Sequence, residues 1–252
     1  MNTVQFSNHT GYGGWTGTVF PSEHVAELVD GIAARGVLPG CDAVLSGYMG
    51  SPATGAAILD AAERVRALNP QALYCCDPVM GDVGRGFFVK AELYDFIRGR
   101  VVPRADIVTP NQFELEFLAD CTVSTLDDAL GATAALRALG PRIVLLTSLR
   151  PSGADPDEIE MLVDSDAGAW LVSTPRLPLD PMPNGAGDAV AALFLGKLLE
   201  TGNPEAALRH ASAAIFAVFT ATAAAGTREL ALIAAQDQLV APARVFPVQK
   251  VR

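Results

Sequence analysis

Asp188 stands where its neighbours could give a carboxylate chemical work. It closes the stretch Pro183-Asn184-Gly185-Ala186-Gly187-Asp188 and opens the apolar run Ala189-Val190-Ala191-Ala192-Leu193-Phe194-Leu195. Two glycines one residue apart let the backbone turn tightly and present its N–H groups. The apolar run reads as a helix, so those N–H groups are expected at a helix N-terminus, where they carry partial positive charge. That combination makes a receptacle for phosphate or a developing anion. A carboxylate at its lip is too acidic to be a phosphate ligand; its chemistry would be to take a proton from a hydroxyl attacking the phosphate. The competing reading is a glycine turn with Asp188 as a helix cap. The motif alone leaves both open.

The elements that must position such a site follow from the apolar pattern. Ala43-Val44-Leu45-Ser46 precedes a helix-like segment over 52–68, and the run 72–77 ends in Asp77. Ala105-Asp106-Ile107-Val108-Thr109 leads into Pro110-Asn111 and a helix through about Ala119. An amphipathic helix over 125–139 comes before the buried strand Arg142-Ile143-Val144-Leu145-Leu146-Thr147. Strands that are almost wholly apolar, alternating with helices, indicate a parallel sheet covered on both faces. From Glu158 to Asp164 the pattern alternates, and Ala169 to Ser173 answers it after a turn, which predicts a hairpin on an antiparallel edge. Three helices, 187–200, 204–225 and roughly 229–239, are expected to close the chain. Asp77, Asn111, Glu114 and Asp188 all fall where strands end and helices begin, the place where open α/β sheets collect ligands.

Bulk properties narrow the function classes. The chain of 252 residues is half hydrophobic and 18% charged, enough for a large core, and its Pro and Gly are scattered, which favours one domain over 1–252. A formal net charge of −10 argues against nucleic acid and anionic membranes as partners. With three lysines (Lys90, Lys197, Lys250), a phosphate-handling site here must rely on backbone N–H groups, arginines and a divalent metal. Cys41, Cys75, Cys76 and Cys121 lack paired metal spacing, so reduced thiols and a cytoplasmic protein are expected. No secretory signal opens the chain, and the uncharged stretch Ala211 to Thr227 reads as a buried helix. A Walker-type Gly-x-x-x-x-Gly-Lys-Ser/Thr loop does not occur.

Asp77-Pro78-Val79-Met80-Gly81-Asp82, Thr109-Pro110-Asn111-Gln112-Phe113-Glu114 and Asn184 to Asp188, in this order, resemble the ribokinase-like vitamin kinases. The opening Asn2 to Gly13 (NTVQFSNHTGYG) and Cys41 to Gly50 (CDAVLSGYMG) resemble pyridoxal kinases within that group. The resemblance covers residue 2 to about residue 240. It implies an α/β, ribokinase-like three-layer sandwich, with a mostly parallel central sheet between helices and an antiparallel edge hairpin. It implies ATP-dependent phosphorylation of the 5′-hydroxymethyl group of pyridoxal, with Mg²⁺ as cofactor, and a homodimer. Asp188 would be the catalytic base and a substrate contact, with Gly185, Ala186 and Gly187 as the anion hole. Thr10 and Gly11 would bind pyridoxal. ATP would meet Asp77, Thr109, Glu114, Thr147, Thr174, Pro175, Arg176 and Leu177, with Asp77 and Glu114 also facing the metal. An alternative role for Asn111 and Glu114 is a helix capping box, and the two roles can coexist. Gly81 to Val89 has glycines spaced as in a mobile flap, with Arg85 at its tip. Two alternatives stay open: a hydroxymethylpyrimidine-type kinase, or a non-catalytic pyridoxal or nucleotide binder. The resembled family carries an earlier strand and a Ser-His-Val-x-Tyr-Gly-His-x-Gly-Asn segment, so the chain is expected to lack about 35 residues of the pattern, leaving backbone groups of neighbouring strands to be satisfied otherwise.

Overall fold

The computed structural model describes every residue except Ala154, and describes Thr10 by its backbone alone. The described residues group into two compact units, Met1–Val108 with Leu139–Pro141, and Thr109–Ala138 with Arg142–Arg252.

In the first unit β1 (Val4–Phe6) pairs antiparallel with β2 (Gly17–Val19), and α1 (Ser22–Ala33) follows. Then come β3 (Ala43–Ser46), α2 (Pro52–Leu68) and β4 (Leu73–Cys76). A small hairpin of β5 (Gly81–Asp82) and β6 (Gly86–Phe87), α3 (Ala91–Phe96) and β7 (Ile107–Val108) complete it. β3, β4 and β7 are parallel, as the alternation of strand and helix predicts. Tyr74, Cys75 and Cys76 in β4 are fully buried, so successive residues on opposite faces are both covered. α2 begins where the local chemistry says it should: Ser51 accepts the Thr54 N–H at 3.1 Å, and Pro52 fills the first helical position. Asp106 ties the strand ends down by accepting the Tyr74 N–H at 2.7 Å and pairing with Arg66.

The second unit holds α4 (Gln112–Ala119), α5 (Leu126–Arg137), β8 (Ile143–Leu149), β9 (Glu158–Ser165) and β10 (Gly168–Pro175). It ends with α6 (Ala186–Thr201), α7 (Pro204–Ala225), α8 (Gln236–Val240) and β11 (Val248–Lys250). Its strands run antiparallel in the order β11-β10-β9-β8. The expected hairpin is β9–β10, but β11 pairs along its outer side, Val248 opposite Val172.

Helices cover both faces of these strands. Asp164 of β9 points to α5, where the Thr133 hydroxyl donates to it at 2.8 Å. Met161, three residues earlier and therefore on the other face, meets the α7 side. α7 is long and apolar enough to cross a bilayer by composition. Here its Leu208, Ala211, Ala214, Ile215 and Val218 are buried, and it packs against β9, β10 and α6. The helix expected over 229–239 is shorter, because residues 228–235 form turns: the Ala231 N–H donates to the Thr222 hydroxyl at 3.0 Å and the Leu232 N–H to the Leu230 carbonyl.

Candidate active site

In the second unit, the turn before α6 adopts the conformation its glycines allow. Gly185 is the residue before the helix, left-handed at φ 86°, ψ 2°, and no side chain caps that end. Gly185 holds the cap position, and Asp188 sits in the first turn of the helix. The Ala189 N–H makes the first helical bond, to the Gly185 carbonyl at 3.1 Å. N–H groups ahead of it cannot pair within the helix and carry the positive end of its dipole. Asp188 is exposed, and its Oδ2 lies 4.0 Å from where a Cβ on Gly185 would stand.

Ala186 and Gly187 help line a cleft that is open to solvent. Thr147, Thr174, Pro175 and Leu177 line it as well, so four residues assigned to ATP by resemblance share a cavity with the turn assigned to the phosphoryl group. Thr147 is held by its N–H, which donates to the Pro110 carbonyl at 2.9 Å, and its hydroxyl reaches the same carbonyl at 3.4 Å. Asn111 pairs with Thr147 in a parallel bridge, which brings the Thr109–Glu114 segment alongside β8. Thr109 is buried, and its hydroxyl is the buried side-chain oxygen with no hydrogen-bond partner among the described residues. Leaving such a group unsatisfied costs about 1–3 kcal/mol.

Asn111 and Glu114 form a full capping box at the start of α4. Glu114 is buried, and its carboxylate accepts the Asn111 N–H at 2.9 Å. Arg176 does not line the cleft. β10 ends at Pro175, the Arg176 N–H turns to the Asp157 carbonyl at 2.6 Å, and the side chain borders a second hollow with Arg150 and Glu160. In that hollow, burial pushes the Glu160 carboxyl above its ordinary range; Ser173 opposes the shift and Glu158 adds to it.

Several cleft residues carried no signal in the sequence. Ser148 lies in the left-handed region at φ 55°, within the irregularity between Leu146 and Leu149. A non-glycine residue there is uncommon and tends to mark function. Met161, Ile215, Phe216 and Phe219 supply apolar walls from β9 and α7, and in sequence they read only as core.

In the first unit, Asp77 follows β4 directly, is buried, and donates its N–H to the Ser46 carbonyl at 2.8 Å. The flap segment is the β5–β6 hairpin, where Gly84 and Gly86 take φ 78° and 68° and Arg85 stacks 5.6 Å from the Phe88 ring centre. Gly11 is exposed in the turn Thr10–Tyr12 and donates its N–H to His9 Nδ1 at 2.9 Å. His9 is thereby a hydrogen-bonded loop histidine. The Thr10 side chain lies outside the described residues.

Among the described residues no group of three or more His, Cys, Asp or Glu is arranged to hold a metal. Mg²⁺ does not call for one: it is commonly held by one or two carboxylates, with substrate phosphates and water completing the shell.

Residues 19–232 match the Phosphomethylpyrimidine kinase family. The chain is 56% identical to pyridoxal kinase PdxY of Deinococcus radiodurans over 255 residues, covering 100% of this chain and 86% of that protein. Identity to PdxY of Rubrobacter xylanophilus is also 56%, over 252 residues and 86% of its length. The structure of Leishmania donovani pyridoxal kinase with ADP and pyridoxamine matches with a TM-score of 0.86 at 28% identity, over 100% of this chain and 88% of that one. The expected α/β, ribokinase-like architecture is therefore the one the chain adopts. With 56% identity to two PdxY proteins over the whole of this chain and 86% of theirs, the protein belongs to the PdxY pyridoxal kinase family.

Proposed function

We propose that this protein transfers the γ-phosphoryl group of ATP to the 5′-hydroxymethyl oxygen of pyridoxal, forming pyridoxal 5′-phosphate and ADP. The observation that carries the reading is the shared cleft, with the Ala186–Gly187 turn at one wall and Thr147, Thr174 and the apolar residues of β9 and α7 at the others. An apolar cavity with a few placed polar groups suits a purine base, and a helix N-terminus suits its phosphates.

In this reading Asp188 accepts the proton of the attacking hydroxyl, a contribution of about 10²–10⁴-fold. Backbone N–H groups at Gly185, Ala186 and Gly187 stabilise the charge on the transferred phosphoryl group, and positioning supplies much of the remainder. Gly11, in the first unit, with Thr10 beside it, is assigned to pyridoxal. Thr109, buried beside the capping box of α4, is assigned to ATP by the resemblance alone. Asp77 in the first unit and Glu114 in the second each offer the hard carboxylate oxygens that Mg²⁺ prefers, and the resemblance assigns both to the metal. When bound, Mg²⁺ neutralises charge on the polyphosphate. We read the protein as a cytoplasmic homodimer that acts on small molecules and uses neither nucleic acid nor membrane.

The test is turnover of ATP with pyridoxal, pyridoxine and hydroxymethylpyrimidine measured side by side, for wild type and Asp188→Asn. Pyridoxal is expected to be preferred, and Asp188→Asn to lose about 10²–10⁴-fold in kcat while still binding ATP. Preference for hydroxymethylpyrimidine would overturn the substrate assignment. Wild type that binds pyridoxal without turnover would make the chain a binder.

A further inference from the structure

We propose that Arg244 is a positioning residue for the base end of the cleft, acting through Phe216; the proposal rests on reading the cleft as a nucleotide site. Phe216 of α7 lines the cleft together with Ile215 and Phe219, and Ala186 and Gly187 of the turn line it too. The Arg244 guanidinium carbon lies 4.9 Å from the Phe216 ring centre and 4.8 Å from that of Phe246. The two rings meet edge to face, 5.0 Å apart at 74°. A guanidinium held over two ring faces is attracted by both quadrupoles, and its flat shape packs well on an aromatic surface.

The strap that carries Arg244 is itself anchored. The Ala243 N–H donates to Gln238 Oε1 at 2.8 Å, Phe246 is 5% exposed, and β11 starts two residues later, paired to β10. β10 is the strand that ends in Thr174 and Pro175 of the same cleft. Among the described residues no carboxylate forms an ion pair with Arg244. Its two rings therefore account for its position. The consequence falls on Phe216. With the guanidinium against it, the ring keeps one rotamer and presents a preorganised apolar surface to a base. Without it, the ring gains freedom that nucleotide binding must remove.

The experiment is calorimetric binding of ADP and GDP, with kcat and KM for ATP and pyridoxal, for wild type, Arg244→Ala, Arg244→Lys and Arg244→Gln. Arg244→Ala is expected to weaken ADP binding and raise KM for ATP by about three- to fivefold. It should narrow the preference for ADP over GDP and leave KM for pyridoxal unchanged. Arg244→Lys, which can place an ammonium over the same rings, should recover most of the loss. A merely structural role would lower the melting temperature without separating the two KM values or the two nucleotides. If Arg244→Ala does not fold, Arg244→Gln carries the same comparison with the length kept and the charge removed. Wild type that fails to bind ADP overturns the nucleotide reading itself. Wild type that binds while the alanine or glutamine variant binds as tightly overturns the role of Arg244 alone.

Discussion

Asn111 and Glu114 exchange two hydrogen bonds across the first turn of α4: the Glu114 N–H donates to Asn111 Oδ1, and the Asn111 N–H to Glu114 Oε2, both at 2.9 Å. The carboxylate assigned to Mg²⁺ is thus also a structural part of the helix start. The two roles separate by substitution. Glu114→Gln keeps an oxygen for the Asn111 N–H and removes the charge, so stability is expected to change by less than about 0.5 kcal/mol. Its requirement for Mg²⁺ in turnover should rise several-fold. Glu114→Ala loses both roles and should also cost about 1 kcal/mol of stability. Urea melts beside Mg²⁺ titrations of activity distinguish the cases, and equal Mg²⁺ requirements in wild type and Glu114→Gln would remove Glu114 from the metal.

Gly185 tests whether the turn geometry matters. At φ 86° an L-residue is strained, although a Cβ there would meet nothing closer than Leu230 Cδ1 at 3.7 Å. The cost of Gly185→Ala is therefore conformational, about 1–2 kcal/mol. Activity is expected to rank Gly185 above Gly185→Asn above Gly185→Ala, because asparagine tolerates the left-handed region better. An alanine variant with wild-type kcat would show that the N–H groups need not hold this orientation.

Asp164 holds the far side of the same sheet. It is fully buried and accepts from the Thr133 hydroxyl, from Arg137 at 3.3 Å, and from Arg252. Removing one partner from a buried ion pair typically costs about 3–5 kcal/mol. Both arginines reach water, so Asp164→Ala is expected at the lower end, about 3 kcal/mol by chemical denaturation. Well below the melting temperature its kcat should match wild type.

His210 gives a pH signature. Burial lowers its pKa from the ordinary 6.5, Lys197 adds to the shift, and the Leu239 backbone and Glu200 oppose it. The folded state thus binds fewer protons at this site than the unfolded chain. Its contribution to stability is unpenalised above 6.5 and is eroded as pH falls through the unfolded and then the lowered folded value. Denaturation midpoints should fall between about pH 7.5 and pH 5.5, and more shallowly in His210→Gln. Identical slopes in the two proteins would dismiss the effect.

The sequence by itself determined the elements and the residues that mark their ends. α2 over Pro52–Leu68, the β9–β10 hairpin and the glycine turn before Asp188 were legible because apolar spacing, Ser51-Pro52 and Gly185 act on their immediate neighbours. Local chemistry of that kind needs no knowledge of the rest of the chain. Tertiary structure decided what the residues face. It put Met161 and Phe216 on the cleft wall, turned Arg176 away at the end of β10, and forced Ser148 into a left-handed conformation. It also gave the Thr222 hydroxyl to the Ala231 N–H, shortening α8, and laid Arg244 on Phe216. Each of these depends on partners brought together only when distant segments pack, so no spacing within one segment encodes it.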